Sequence, residues 1–171
     1  MSRAPAHLRA SVAPMRPIAR MQSFQRRRLS PGECALGTTV FADEIAWPRL
    51  AIVQTPYMGF SAMVPLGRTI VFSRWKAPRD FADVDAAEQG WFIHELAHCW
   101  QAARGVVLAG AKLGALGNGA YRYAPKPGAR LRDYNIESQA EIVRHFFLAR
   151  ADAAEKGAPD RAWLEEVWAR R

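Results

Sequence analysis

The stretch FIHELAHCWQ, Phe92 to Gln101, contains His94-Glu95-Leu96-Ala97-His98, the pattern H-E-x-x-H. On a helix, residues four apart lie on one face, one turn above each other. Two imidazoles so placed can grip one metal ion, and the glutamate between them can reach a metal-bound water. Two of the chain's four histidines fall in this pentapeptide. Phe92, Ile93, Leu96, Ala97 and Trp100 surround them, so the helix is expected to be buried over most of its circumference. The pattern also arises by chance in helices whose histidines only fill space. A catalytic zinc usually needs a third protein ligand, and the reading turns on whether the chain supplies one.

The segment Asn135-Ile136-Glu137-Ser138-Gln139-Ala140-Glu141 supplies it. Asn135 can cap a helix expected over 136–156. Glu137 and Glu141 share one face of it, beside an apolar stripe of Ile136, Ala140, Val143 and Phe147. Carboxylates bordering a core need a partner, because an unpaired buried charge is costly. A metal ion and a ligating histidine are such partners. His94, His98 and Glu137 are therefore the expected metal ligands, with a fourth position left for water. Glu141 is expected to accept a hydrogen bond from the far nitrogen of His94, setting its tautomer. His145, one turn further, reads as a helix-surface histidine, with a ligand role as the alternative. Tyr121 and Tyr123 are candidates for a donor to a developing oxyanion, and Tyr123 is carried as the catalytic candidate beside Glu95.

The rest of the chain reads as follows. Leu29-Ser30-Pro31-Gly32-Glu33-Cys34 has the grammar of a helix start: Ser30 as cap, Pro31 in the first position, Glu33 bonding back. That helix is expected over about 31–42. LAIVQT (50–55) and RTIVFS (68–73) read as strands, with GFSAMV (59–64) as a third, in a small antiparallel sheet. Asp80, Asp83 and Asp85 lead into the H-E-x-x-H helix, expected over 85–104 with Gly105 as its stop. Residues 106–120 suit a loose helix or a packed loop. Residues 121–134 read as a loop or irregular hairpin, and Asp160 can cap a last helix through Trp168.

At 171 residues the chain is long enough for one domain. No apolar run approaches the roughly 18 residues of a membrane span. The net charge of +8 is unevenly placed. Seven of the 24 Lys and Arg lie in residues 1–28 without any acid, leaving 17 against 16 Asp and Glu. The expectation is a basic, disordered arm over 1–28 and a nearly neutral domain over 29–171. The arm could touch nucleic acid or anionic lipid without specificity. With no segment suited to a secretory signal, the protein is expected in the cytoplasm, or exported by a route that needs none. Cys34 and Cys99 read as two small buried thiols.

H-E-x-x-H followed by E-x-x-x-E resembles the gluzincin metallopeptidases. In these the downstream glutamate is the third zinc ligand and the later acid, often aspartate, supports a histidine. The 38 residues between His98 and Glu137 exceed the gap of some gluzincins. More closely, LSPGECALGTTVFADEI, SAMVPLGRTIVF, FIHELAHCWQ, YRY and YNIESQAEIVRHFF resemble a family of small bacterial H-E-x-x-H proteins. These are labelled Vgr-related and are similar to the peptidase-like domain associated with contractile injection systems. The likeness spans 29 to about 148, and at position 145 the family more often carries an acid. Deformylases also pair H-E-x-x-H with an upstream cysteine, but their other glycine-rich motif is missing.

The resemblance implies an α+β, zincin-like (minimal gluzincin) domain binding one Zn2+. The expected chemistry is peptide-bond hydrolysis by a metal-activated water with Glu95 as general base. An extended peptide could add as a strand at the sheet edge near 59–64. Expected partners are a peptide or protein substrate and secretion or injection machinery. The alternative is a catalytically inactive zinc-binding domain serving assembly or secretion.

Overall fold

Ser30 starts the first helix as its sequence suggests. Its hydroxyl accepts from the Glu33 amide at 3.0 Å, and the Glu33 carboxylate accepts from the Ser30 amide at 2.9 Å. This closes a capping box at the head of α1 (Pro31–Phe41). The structure is a computed structural model that describes residues 18–59, 62–110 and 121–171. The arm up to residue 17 and the glycine-rich 111–120 lie outside the described residues, as do residues 60 and 61 of the expected third strand.

Among the described residues, four short strands form one sheet in the order β1-β2-β4-β3: β1 (Arg26–Arg28), β2 (Ala51–Thr55), β3 (Ala62–Met63) and β4 (Thr69–Ser73). The sheet is mixed, which corrects the antiparallel expectation. β2 and β4 run parallel with Ile52 opposite Ile70, while β1 and β3 are antiparallel to their neighbours. β3 lies within the segment that joins β2 to β4 and pairs antiparallel with β4, which inserts between β2 and β3 and so runs parallel to β2. Strand patterns mark which residues are extended, not which edges meet.

β1 also corrects the arm's boundary. Arg26–Arg28, counted from the sequence with the arm, pair with β2. Arg27 makes a two-pronged contact with Glu33, 2.6 Å on each side. Glu33 is fully buried and also accepts from the Phe81 amide at 3.0 Å. The capping glutamate is thus a buried charge that needs this arginine.

Asp80 caps a short 3-10 turn, Phe81–Asp83, and Asp85 caps α2 (Ala86–Ala103) by accepting from the Glu88 amide at 2.8 Å. Gly105 follows α2 with a positive φ of 88°, which suits glycine. Every residue from Phe92 to Gln101 is buried. Phe92 stacks on Phe81, with ring centroids 4.6 Å apart. Leu96 packs towards Gly37 of α1, where a Cβ would meet the Trp47 ring at 2.6 Å and Leu96 at 3.0 Å.

Residues 121–134 form a loop with one 3-10 turn, Leu131–Asp133. Asn135 then caps α3 (Ile136–Arg150), accepting from the Ser138 amide at 2.9 Å. α3 ends six residues before the expected 156. Asp152 adopts a left-handed φ of 53°, and the Ala153 amide donates back to the Leu148 carbonyl at 2.9 Å. This closes the helix against good helix formers. α4 (Arg161–Ala169), capped by Asp160, completes the described chain. Both cysteines are free; Cys99 is buried, but Cys34 is only half-buried.

Candidate metal centre

α2 and α3 bring the two sequence patterns together. His94 and His98 stand one turn apart on α2, with ring centroids 5.1 Å apart and planes at 82°. Glu137 sits in the first turn of α3, between them. Its Oε2 lies 3.1 Å from His98 Nε2 and 3.5 Å from His94 Nε2. One ligand atom from each of the three residues falls within 4.8 Å of the others. Atoms bonded to one tetrahedral zinc at about 2.0–2.1 Å stand roughly 3.3–3.4 Å apart. The two Glu137 distances bracket that spacing. His94, His98 and Glu137 are 2%, 1% and 5% exposed, so the charges they hold are shielded from bulk water.

The outer nitrogens of both rings are held as metal ligation requires. His94 Nδ1 lies 3.1 Å from Glu141 Oε2, the pairing expected from the sequence. A carboxylate accepts, so Nδ1 carries the proton and the Nε2 lone pair is left for an ion. His98 Nδ1 lies 2.8 Å from Gln101 Oε1. Gln101 donates its Nε2 to the Ile136 carbonyl at 2.9 Å and to Gln139 Oε1 at 3.1 Å, so its oxygen faces His98 as an acceptor. Sequence reasoning missed Gln101. The available signal was an amide three residues after the second histidine, on the same helix face.

Burial pulls the His94 imidazole towards the neutral form. The hydrogen bonds to Glu137 and Glu141 and the charge of Glu95 outweigh it and raise its pKa to about 9. Burial likewise pushes Glu141 up, but His94 and Arg144 bring it below the usual carboxylate range. Without an ion, the pocket holds a proton where an ion would carry the charge.

Glu95 is 7% exposed, and its Oε2 has no hydrogen-bond partner among the described residues. A buried carboxylate oxygen without a donor is costly unless a water or an ion completes it. This orphan and the nitrogen and oxygen donors beside it fit a divalent ion with a water. Tyr121 leans on His94, ring centroids 5.8 Å apart, and is half exposed. The Tyr123 hydroxyl lies 2.5 Å from His145 Nδ1, and its ring stacks on Trp163. His145 is correspondingly not a surface residue, its side chain being 14% exposed.

No family model matches the chain. It is 35% identical over 145 residues to the type VI secretion system spike protein VgrG2b of Pseudomonas aeruginosa, across 79% of this chain and 14% of that protein's length. Its structure resembles the effector domain of Pseudomonas aeruginosa VgrG2b, with a TM-score of 0.66 and 31% identity over 84% of this chain and 82% of that domain. In sequence and in fold, the chain belongs to the family of the VgrG2b effector domain.

Proposed function

We propose that the protein is a zinc-dependent peptidase with a minimal zincin-like fold, carried by a type VI secretion machine. The observation that supports this best is the convergence of His94 Nε2 and His98 Nε2 on one oxygen of Glu137, beside the orphaned Glu95 Oε2. His94, His98 and Glu137 would hold the ion. When bound, a zinc ion supplies Lewis acidity, which polarises a substrate carbonyl and makes a nearby water acidic enough to react near neutral pH. Glu95 takes a proton from the attacking water and delivers it to the leaving nitrogen. Glu141 and Gln101 keep the imidazoles turned with Nε2 inward. Tyr121 borders the site from the solvent side as a candidate donor to the substrate oxygen. β3 is an outer strand of the sheet, and an extended peptide adding beside it would make one more strand.

A second reading is a zinc domain without hydrolysis, used in assembly or secretion; the naming of VgrG2b as a spike protein favours it. Metal analysis and cleavage of an unfolded protein substrate separate the two. The wild type is expected to bind one zinc and cleave, Glu137→Ala to lose the metal, and Glu95→Gln to keep the metal and lose about 100-fold or more in rate. Cleavage undiminished in Glu95→Gln would refute the base. A zinc-loaded wild type that cleaves no member of a peptide library would favour the second reading.

A further inference from the structure

We infer that Arg144 is a positioning residue for the metal centre, acting on His94 through Glu141 and held by Glu155; the inference rests on the metal-centre reading above. Glu141 turns its two oxygens to different partners. Oε2 meets His94 Nδ1 at 3.1 Å, and Oε1 accepts from Arg144 Nη1 at 2.5 Å. Arg144 is 4% exposed. Its Nη2 donates to Glu155 Oε1, and its guanidinium lies 4.4 Å over the Trp91 ring. Trp91 in turn packs against His94, ring centroids 5.6 Å apart.

Glu141, His145 and Glu155 also offer three ligand atoms within 4.8 Å of one another, which has the look of a second cation site. The guanidinium already bonds both carboxylates, so the positive charge they need is built into the chain. A planar guanidinium donates in fixed directions. Glu141 and Glu155 are therefore oriented by one rigid group. His145 Nε2 stands 3.5 Å from Glu141 Oε1, an ångström farther than the guanidinium nitrogen, so Arg144 is the group that holds this oxygen. The ligand His94 is thereby tied, through Glu141 and Arg144, to Glu155 in the turn after α3. That tie makes the loop part of the centre's outer support.

A double-mutant cycle on the full chain tests this. Zinc affinity is measured by competition with a chromophoric chelator, the cobalt(II) absorption spectrum reports ligand geometry, and melting in excess chelator reports the fold. Arg144→Met is expected to weaken zinc binding about tenfold or more and to change the cobalt spectrum. Arg144→Lys is expected to recover part of the affinity. In a Glu141→Gln background, Arg144→Met should cost about twofold or less, because its route to His94 is gone. Wild-type affinity and spectrum in Arg144→Met would overturn the inference, as would a full effect surviving in the Glu141→Gln background. If Arg144→Met does not fold, Glu155→Gln loosens the same guanidinium from its exposed side. It is expected to shift the cobalt spectrum, and an unshifted spectrum overturns the inference. A wild type that takes up no zinc would remove the metal-centre reading and this inference together. Uptake with an indifferent Arg144 removes the inference alone.

Discussion

His98 owes its orientation to one amide. Gln101 can accept from Nδ1 only while its own Nε2 is held by the Ile136 carbonyl and Gln139. Replacing it with leucine keeps the volume but leaves the imidazole proton without an acceptor. Gln101→Leu is therefore expected to lower zinc affinity by about 10–100-fold, read by chelator competition. Gln101→Glu should recover only part of the affinity, because a carboxylate can accept from Nδ1 but its other oxygen faces the Ile136 carbonyl and Gln139 Oε1 without a donor. At this scale the side chains that converge were legible. His94, Glu95, His98, Glu137 and Glu141 were singled out from helical spacing beside an apolar stripe, since positions four apart share a helix face in any fold that keeps the helix. Gln101 and the Tyr123–His145 contact were not legible, because each partner is set by how separate segments meet.

The clearest contest between propensity and packing among the elements is the end of α3. Ala151 to Lys156 would continue a helix on composition. Instead the chain turns at Asp152, and Glu155 comes back to Arg144. A buried guanidinium facing Glu141 alone would lack its second carboxylate, and pairing a buried charge outweighs the few tenths of a kcal/mol per residue in helix propensity. The start of the domain follows the same logic. Arg27 looks like one more arginine of a basic run, yet it neutralises the fully buried Glu33. Arg27→Ala is expected to cost about 3–5 kcal/mol in denaturant unfolding, because the carboxylate stays buried without its cation. A chain starting at residue 29 should accordingly melt below one starting at residue 18. Equal melting would show that β1 adds nothing to the fold.

For the molecule as a whole, the metal-free state should carry a signature in pH. His94 titrates at about 9 in the folded protein and near 6.5 when unfolded. The folded state therefore holds the extra proton between these values. The stability this contributes is fully present below about 6.5 and is lost as pH rises through about 9. Melting of the metal-free protein should fall across that window, and His94→Gln should flatten the slope. Zinc uptake near pH 7.5 should release a proton, seen as an enthalpy that varies with the buffer. No helix among the described residues is long and apolar enough to cross a membrane. Within the nearly neutral body, Arg130, Arg132, Arg170 and Arg171 cluster where they line one cleft with Gly128. The sequence by itself determined the helix starts at Ser30, Asn135 and Asp160, and the residues able to ligate, because capping and four-residue periodicity act within one turn of chain. Only the tertiary structure decided the parallel pairing of β2 with β4, the inclusion of Arg26–Arg28 in the sheet, and the Glu155–Arg144–Glu141 support behind His94. Each of these depends on the free energy of bringing distant segments into contact, and local patterns do not encode which distant segment a buried charge or an open strand edge will meet.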